Sequence, residues 1–95
     1  MKRTREGYRN AERVMKGVAN HRRAEILVML KNFPEKSVSE IAEVLKIDYR
    51  TASEHIHKLT RAGLVMKRSD GTSVRQALTK LGEHMLDFLS TIAND

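Results

Sequence analysis

Polar side chains recur at helical spacing between residues 48 and 63, and their types suit the recognition of DNA bases. At about 100° per residue, one side of such a helix carries Arg50, Ser53, Glu54 and His57. An arginine can pair with guanine, and a glutamate can accept a hydrogen bond from the amino group of cytosine. These four residues are therefore candidates for contact with base edges, and an ordinary solvated helix face is the alternative.

Cationic and hydroxyl side chains around these candidates suit the phosphates of a DNA backbone. Contacts to phosphate fix the position of a protein on DNA without reading its sequence. The predicted backbone contacts are Thr51, Lys58, Arg61, Lys67, Arg68 and Arg75. We expect the last three to reach the flanking backbone or the minor groove.

The distribution of charge also favours a polyanionic partner. The chain holds 18 Lys and Arg against 12 Asp and Glu, a net charge of +6. The excess lies in residues 1–23 and 48–80, and the segment between them is almost neutral. Nucleic acid is favoured over a membrane surface because no stretch combines a basic face with a broad apolar face. A basic chain that is merely soluble remains the alternative.

The segment from residue 48 to residue 63 contains the signals that begin and end a helix. Asp48 is a good N-cap because its carboxylate can accept from the free backbone N–H groups of the first turn. Gly63 suits the left-handed residue that follows a helix. The edge opposite the polar candidates is predicted to pack inward, and it carries Tyr49, Ala52, His55, Ile56 and Leu59.

A second short helix is predicted immediately before this one. Ser37 and Glu40 have the spacing of a capping box, in which each side chain bonds the backbone N–H of the other residue. The helix then runs to about Lys46 with Val38, Ile41, Ala42 and Leu45 on one face. Two short helices with so brief a connection must cross steeply, which is the helix-turn-helix arrangement.

Two further helices are predicted at the start of the chain. The first runs from Lys2 to Val18, and its basic row of Arg5, Arg9, Arg13 and Lys16 could contact phosphates or be solvated. Asn20 caps the second, from His21 to Lys31, which is predicted to be the buried central helix and to end at Asn32, Phe33 and Pro34. Arg22 and Arg23 in its first turn oppose the helix dipole, which suggests an acidic partner for their charges.

A two-stranded wing is predicted after Gly63. The arms are residues 64–68 and 73–78, joined by a turn over residues 69–72 that contains Asp70 and Gly71. A hairpin alone is marginally stable, so we expect Leu64, Val65, Val74 and Leu78 to anchor it on the helices.

The last predicted helix, capped by Thr79, runs from Lys80 to about Ala93 and has a broad apolar face. A chain of 95 residues has much surface for its volume, so a partner for that face is expected. We predict a single domain over residues 1–95 that forms a homodimer through helices 1–18 and 80–93. The predicted interface residues are Tyr8, Val14, Met15, Leu81, Met85, Phe88, Leu89 and Ile92.

Several classes of protein are disfavoured by what the sequence lacks. Without cysteine, neither disulfides nor thiolate metal sites can form. No apolar run approaches the length of a membrane span, and we expect no membrane partner but a cytoplasmic protein associated with the nucleoid. No recognisable nucleophile, acid–base pair or phosphate-binding glycine loop is present. We therefore predict that the chain is not an enzyme and needs no cofactor.

The order of helices, helix-turn-helix, wing and helix is that of a winged helix-turn-helix domain, mainly α with a small β-hairpin. Residues 18–27 (VANHRRAEIL), 37–45 (SVSEIAEVL) and 50–65 (RTASEHIHKLTRAGLV) resemble the ArsR-type repressors, with MarR-type and archaeal winged-helix regulators as near alternatives. Asn20-His21 replaces the Asp-Pro with which that family usually enters its second helix. The resemblance implies sequence-specific binding of double-stranded DNA by a homodimer, usually for repression. A winged helix that binds protein instead of DNA is the alternative.

Many ArsR-type proteins sense metals, so the histidines are also candidate ligands. His84 and Asp87 could imitate half of the family's terminal-helix site, but Gly71 and Ser73 occupy the positions of the other half and cannot supply ligands. His55 and His57 are two residues apart on a helix and point to different sides. We predict no metal site, and the sequence does not identify a small-molecule effector.

Overall fold

The computed structural model describes residues 4–33, 35–69 and 71–93. Across these ranges the helices and strands follow the predicted winged helix-turn-helix order. They are α1 (Arg5–Val18), α2 (His21–Asn32), α3 (Val38–Leu45), α4 (Tyr49–Arg61), β1 (Val65–Ser69), β2 (Val74–Leu78) and α5 (Lys80–Ile92). None of the helices within these ranges is both long and apolar enough to cross a membrane.

The first two helices begin at side-chain caps. Thr4 is extended, and its hydroxyl accepts from the Gly7 backbone N–H at 3.1 Å, so α1 begins at Arg5 rather than at Lys2. Lys2 itself lies outside the described residues. The Asn20 side chain accepts from the N–H groups of Arg22 and Arg23 at 2.8 and 3.1 Å, which confirms the predicted cap of α2. That helix ends one residue later than predicted, at Asn32, and Pro34 lies outside the described residues.

The core forms where α2 meets the helix-turn-helix, the wing and α5. Its fully buried side chains include Ile26, Leu27, Ile41, Leu59 and Leu64. Burial of this apolar surface supplies most of the free energy that holds the helices together. The prediction of a buried central helix is correct for most of the apolar residues of α2, but Val28 faces outward and is half-exposed.

Both helices of the helix-turn-helix begin where the sequence predicts. The capping box is complete, because the Ser37 N–H donates to Glu40 at 2.8 Å and the Glu40 N–H donates to the Ser37 hydroxyl at 3.2 Å. Lys46 then ends α3 in the left-handed conformation, with φ 57°. Asp48 caps α4 by accepting from the Thr51 N–H at 2.7 Å. Gly63 has φ 81°, as its predicted role after the helix requires.

The wing is an antiparallel pair in which Val65 lies opposite Leu78 and Ser69 lies opposite Val74. A third short segment extends the sheet, because the Gln76 N–H donates to the Lys36 carbonyl at 2.8 Å. Val65 is buried and Leu78 packs on the core, but Val74 is 51% exposed. Val74 is therefore not an anchor, because its pair with Ser69 lies at the turn end of the hairpin. The predicted turn residue Asp70 lies outside the described residues.

Two helices approach their neighbours closely through glycine. A Cβ atom on Gly17 in α1 would lie 2.5 Å from the Cβ of Ala62, and one on Gly82 in α5 would lie 2.1 Å from the carbonyl oxygen of Leu64. Thr79 fixes the start of α5, since its hydroxyl accepts from the Gly82 N–H at 3.0 Å and donates to the Gly63 carbonyl at 2.6 Å. The end of α4, the start of the wing and α5 are thus joined at one place.

Candidate nucleic-acid interface

A polar groove of about 570 Å³ lies between the start of α3, the side of α4 and the wing. It brings together three of the predicted DNA-contacting residues, Ser53 and His57 on α4 and Lys67 on β1. Tyr49 also lines the groove, and it is 59% exposed. The prediction that Tyr49 packs inward is therefore wrong, because at the first position of α4 its ring faces the groove instead of the core.

The four base-contact candidates differ in how far they are exposed on α4. Arg50, Glu54 and His57 are exposed, and Ser53 is half-buried at the edge of the groove. The inward side is held by Ala52, Ile56 and Leu59, which are buried as predicted. At the start of this helix the Thr51 amide, which donates to the Asp48 carboxylate, lowers the pKa of Asp48. That carboxylate is therefore ionised as a cap at neutral pH.

The predicted backbone contacts have different surroundings. Lys58 and Arg61 on α4 and Lys67 and Arg68 on the wing are exposed, and Thr51 is half-buried. The Arg68 Nη1 lies 4.0 Å from the Glu35 carboxylate, and the Arg68 side chain is exposed at the surface of the wing.

Arg75 holds the wing to the segment between α2 and α3. Its Nη1 donates to the Glu35 carbonyl at 2.9 Å and lies 3.3 Å from the Glu40 carboxylate. The Ser37 backbone amide lowers the pKa of Glu40 most strongly, and Arg75 lowers it further. The sequence identified Glu40 as a member of the capping box, but it contained no signal for this second role. Arg75 is thus a structural cation as well as a candidate phosphate contact.

Two members of the basic row of α1 form contacts with other residues of the chain. The Arg13 guanidinium donates to the carbonyl of Arg61 at the end of α4 and, at 2.7 Å, to the side chain of Asn10. Lys16 pairs with Glu12 at 2.9 Å. Arg5 and Arg9 are exposed. Arg13, although exposed, therefore links α1 to the end of the candidate DNA-reading helix.

The two arginines at the start of α2 have partners within the chain, and the partner of Arg22 is acidic, as the sequence suggested. Arg22 pairs with Glu25 at 3.3 Å. Arg23 is 7% exposed, and its Nη1 lies 3.3 Å from Nδ1 of His55 on α4. Burial, followed by the nearby Arg23 charge, lowers the pKa of His55. In the sequence, the only indication of this contact was that two arginines lie in the first turn of α2, where the helix dipole disfavours cations.

The predicted dimer residues divide into two groups. Val14 and Met85 are buried within this chain, and Leu89 is partly buried against its core. The other five are exposed and consist of Tyr8, Met15, Leu81, Phe88 and Ile92. Exposed large apolar side chains on both terminal helices are typical of a surface that is covered by a partner.

Among the described residues, no three His, Asp or Glu side chains come together as a metal site would require. His84 is exposed on α5.

Comparison with known proteins gives consistent results. The model of the MarR family matches residues 20–77. The transcriptional activator HlyU of Vibrio cholerae is 36% identical over 66 residues, which are 70% of this chain and 60% of the length of HlyU. A solved structure of that HlyU is 29% identical with a TM-score of 0.81 and covers 97% of this chain and 100% of its own.

A second solved structure is similar over nearly the whole chain. It is the homodimeric winged helix-turn-helix DNA-binding domain of a possible ArsR-family transcriptional regulator from Mycobacterium bovis. It is 27% identical, has a TM-score of 0.84, and covers 99% of this chain and 89% of its own. The predicted fold and the predicted class of winged-helix regulator are therefore confirmed, as is the prediction that the chain is not an enzyme.

Proposed function

We propose a sequence-specific, DNA-binding function for this chain, which belongs to the MarR family of winged helix transcription regulators. In this proposal a homodimer binds double-stranded DNA, with α4 in the major groove and the wing on the flanking backbone or in the minor groove. The observation that carries the proposal is the exposed polar side of α4 next to a groove that ends at the cationic wing.

The roles of individual residues on α4 follow from their chemistry and exposure. Arg50 and Glu54 can address guanine and the cytosine amino group, and Ser53 and His57 can bond either base edges or a bridging water. Lys58 and Arg61 lie toward the end of the helix, where they suit phosphates beside the major groove. Thr51 is half-buried, so its hydroxyl is restricted to a phosphate close to the start of α4.

In this proposal the wing contacts DNA in a way that does not depend on the DNA sequence. Lys67 and Arg68 are exposed on β1 and suit the backbone or an adjacent minor groove. Arg75, on β2 opposite Arg68, is committed to Glu35 and Glu40. We therefore assign to Arg75 mainly the orientation of the wing, beside the phosphate contact that the sequence suggests for it.

Dimerisation would place two copies of α4 on one DNA duplex. The exposed residues of α1 and α5 provide the apolar surface for a two-fold interface. A two-fold pair of reading helices fits half-sites about one helical turn, or about 34 Å, apart and a pseudo-palindromic operator. The similarity to a homodimeric domain from Mycobacterium bovis supports this arrangement.

Repression is the direction of regulation that we propose, because a dimer bound over a promoter blocks access to it. HlyU is named as an activator, so relatives differ in this respect. The direction depends on where the operator lies relative to the promoter.

A second candidate function is the binding of another protein. The observation that favours it is an apolar groove of about 630 Å³ between α2 and α3, lined by Val28, Phe33 and Val44 among others. Exposed apolar grooves of this kind can receive a partner. The wing and the open side of α4 remain unexplained by this function, so DNA binding is the better supported of the two.

The salt dependence of DNA binding distinguishes these functions. A protein that neutralises several phosphates releases counterions, so its affinity for duplex DNA falls steeply as salt is raised. We expect that fall in titrations of a fluorescent duplex from about 50 to 200 mM salt. Absence of duplex binding even at the lowest salt concentration would remove the DNA proposal and leave the protein-binding function.

A further inference from the structure

A buried contact between α2 and α4 connects the core to the proposed DNA-reading helix. Arg23 is 7% exposed with its Nε buried, and its Nη1 lies 3.3 Å from Nδ1 of His55. His55 is half-buried on the side of α4 that adjoins α2. It follows Glu54 and precedes Ile56, so it lies between the exposed side of α4 and the side that packs in the core.

The surroundings of this guanidinium are unusual for a buried cation. Across residues 4–33, 35–69 and 71–93, no carboxylate oxygen forms an ion pair with Arg23, and its Nε has no hydrogen-bond partner. The first turn of α2 contains no acidic residue either. Burying a cation without an anion costs free energy unless polar groups compensate. The acceptor that His55 presents is therefore important for retaining Arg23 in this position.

This contact requires one protonation state of His55. A guanidinium can only donate, so Nδ1 must be the unprotonated nitrogen and the ring must be neutral with its proton on Nε2. Protonation would turn Nδ1 into a second donor that faces Nη1 and would place two cations together. The contact is thus compatible with neutral His55 and is broken by imidazolium.

Most of the charged groups around His55 lower its pKa. From α2, Arg23 and Arg22 both disfavour its protonation, and from α4 itself Lys58 does the same while Glu54 opposes them. Burial is the largest cause of the lowered pKa of His55, and Arg23 is the next. The neutral ring that the geometry requires is therefore also the form that its surroundings favour at neutral pH.

We propose that Arg23 and His55 position α4 for DNA through a contact that protons can break. While His55 is neutral, the contact holds α4 at a fixed rotation on α2, which aligns the residues that read base edges. When His55 takes up a proton, the contact is lost and specific DNA binding weakens in mildly acidic solution. The effect on DNA rests on the proposed function, whereas the effect on the free protein does not.

The pH dependence of stability follows from the same contact. An unfolded histidine titrates near pH 6.5, and in the folded protein the pKa of His55 is lower. Below about pH 6.5 the unfolded chain therefore takes up a proton that the folded chain resists, so the free energy of unfolding falls as the pH falls. Above that pH the histidine is neutral in both states and contributes no pH dependence.

Ring NMR titration of the free protein tests the contact without DNA. We expect His55 to titrate below the ordinary histidine range, with the neutral form protonated on Nε2. In Arg23→Met, which removes the cation but keeps an extended side chain, the pKa of His55 should rise. A wild-type pKa of His55 at or above the ordinary value, or the opposite tautomer, would overturn the proposal even if Arg23→Met did not fold.

DNA binding by His55 variants tests the positioning role. The readout is the ratio of affinities for a selected duplex and a random duplex at about pH 7.5 and about pH 5.5. We expect the wild-type ratio to fall at the lower pH, but by less than the roughly tenfold that a histidine with an ordinary pKa would give, because the pKa of His55 is lowered. In His55→Asn, which places an acceptor near the position of Nδ1 but cannot take up a proton in this range, the ratio should match the wild type at the higher pH and fall less than the wild type at the lower pH. In His55→Leu, which leaves Arg23 without an acceptor, it should be low at both.

His84→Gln is the matched control, because His84 is an exposed histidine of α5 outside the proposed DNA interface. Since residue 84 lies one turn from Leu81 and Phe88, the dimer dissociation constant of this variant is measured as well, and its affinity ratio should follow the wild type. An equal fall with pH in His55→Asn and the wild type would contradict the positioning role. If no variant binds DNA at any pH while the ring titration is as expected, the proposed function fails and the contact itself stands.

Discussion

At the scale of single residues, exposure and neighbours separate side chains that share a charge. Arg50 lies exposed in the first turn of α4, Arg68 lies exposed on the wing, and Arg75 is committed to Glu35 and Glu40. Arg23 is buried against His55. The four arginines therefore have four roles in this account, namely base contact, phosphate contact, orientation of the wing and positioning of α4.

Substitution of Arg50 tests the assignment of base contacts. Arg50→Ala should lose about 1 to 3 kcal/mol of binding free energy on the preferred duplex and much less on random duplexes, because a bidentate base contact discriminates by that amount. Fluorescence titration with both kinds of duplex measures the difference. Arg68→Ala is the comparison variant and should weaken both duplexes alike while reducing the salt slope by about one unit. Equal losses on both duplexes for Arg50→Ala would show that Arg50 does not read a base.

At the scale of helices and strands, local sequence signals were sufficient to predict where most elements begin. The orientation of some side chains could not be predicted, because it depends on contacts between residues that are far apart in the chain. The caps Asn20, Ser37, Asp48 and Thr79 were predicted because each bonds N–H groups within three residues. The exposure of Tyr49 and Val74 could not be predicted in this way, since it depends on how far α4 and the hairpin extend beyond the core. Burial of Arg23 likewise depends on a contact 32 residues away.

The position of α5 depends on a glycine whose importance no local pattern revealed. Gly82→Ala should lower the free energy of unfolding by about 1 to 3 kcal/mol, because the new Cβ would collide with the Leu64 carbonyl oxygen and force α5 away from the wing. Chemical denaturation measures the loss. Gly7→Ala is the control, since its Cβ would lie 3.5 Å from the Thr4 hydroxyl in the exposed first turn of α1. That variant should be about 0.5 to 1 kcal/mol more stable than wild type. Unchanged stability of Gly82→Ala would contradict the close approach of α5 to the wing.

At the scale of the whole molecule, the surface of α4 and the wing differs from the surface of α5. The cationic residues of α4 and β1 are exposed, whereas α5 exposes Leu81, Phe88 and Ile92. The exposed cations favour binding to a polyanion, and the exposed apolar side chains favour contact with a protein surface. A dimer that is joined through the terminal helices and bound to DNA through α4 and the wing would account for both.

Substitution in α5 tests the proposed dimer. Phe88→Glu should raise the dimer dissociation constant by at least about tenfold, because a carboxylate from each protomer would enter an apolar interface. Sedimentation across a range of protein concentrations measures this constant. Ser90→Glu is the matched control, as residue 90 lies about 200° around the helix from residue 88. A monomeric wild type would contradict the proposed dimer, and equal dimerisation of both variants would show that the interface lies elsewhere.

Selection from random-sequence duplex DNA with the purified protein tests directly whether a homodimer recognises specific DNA sequences through α4. A homodimer that reads bases through α4 should enrich one motif with two-fold symmetry, and its half-sites should be centred about one helical turn, or about 34 Å, apart. Enrichment of a single asymmetric half-site would contradict the dimeric arrangement. Binding that yields no enriched sequence would contradict specific recognition by α4.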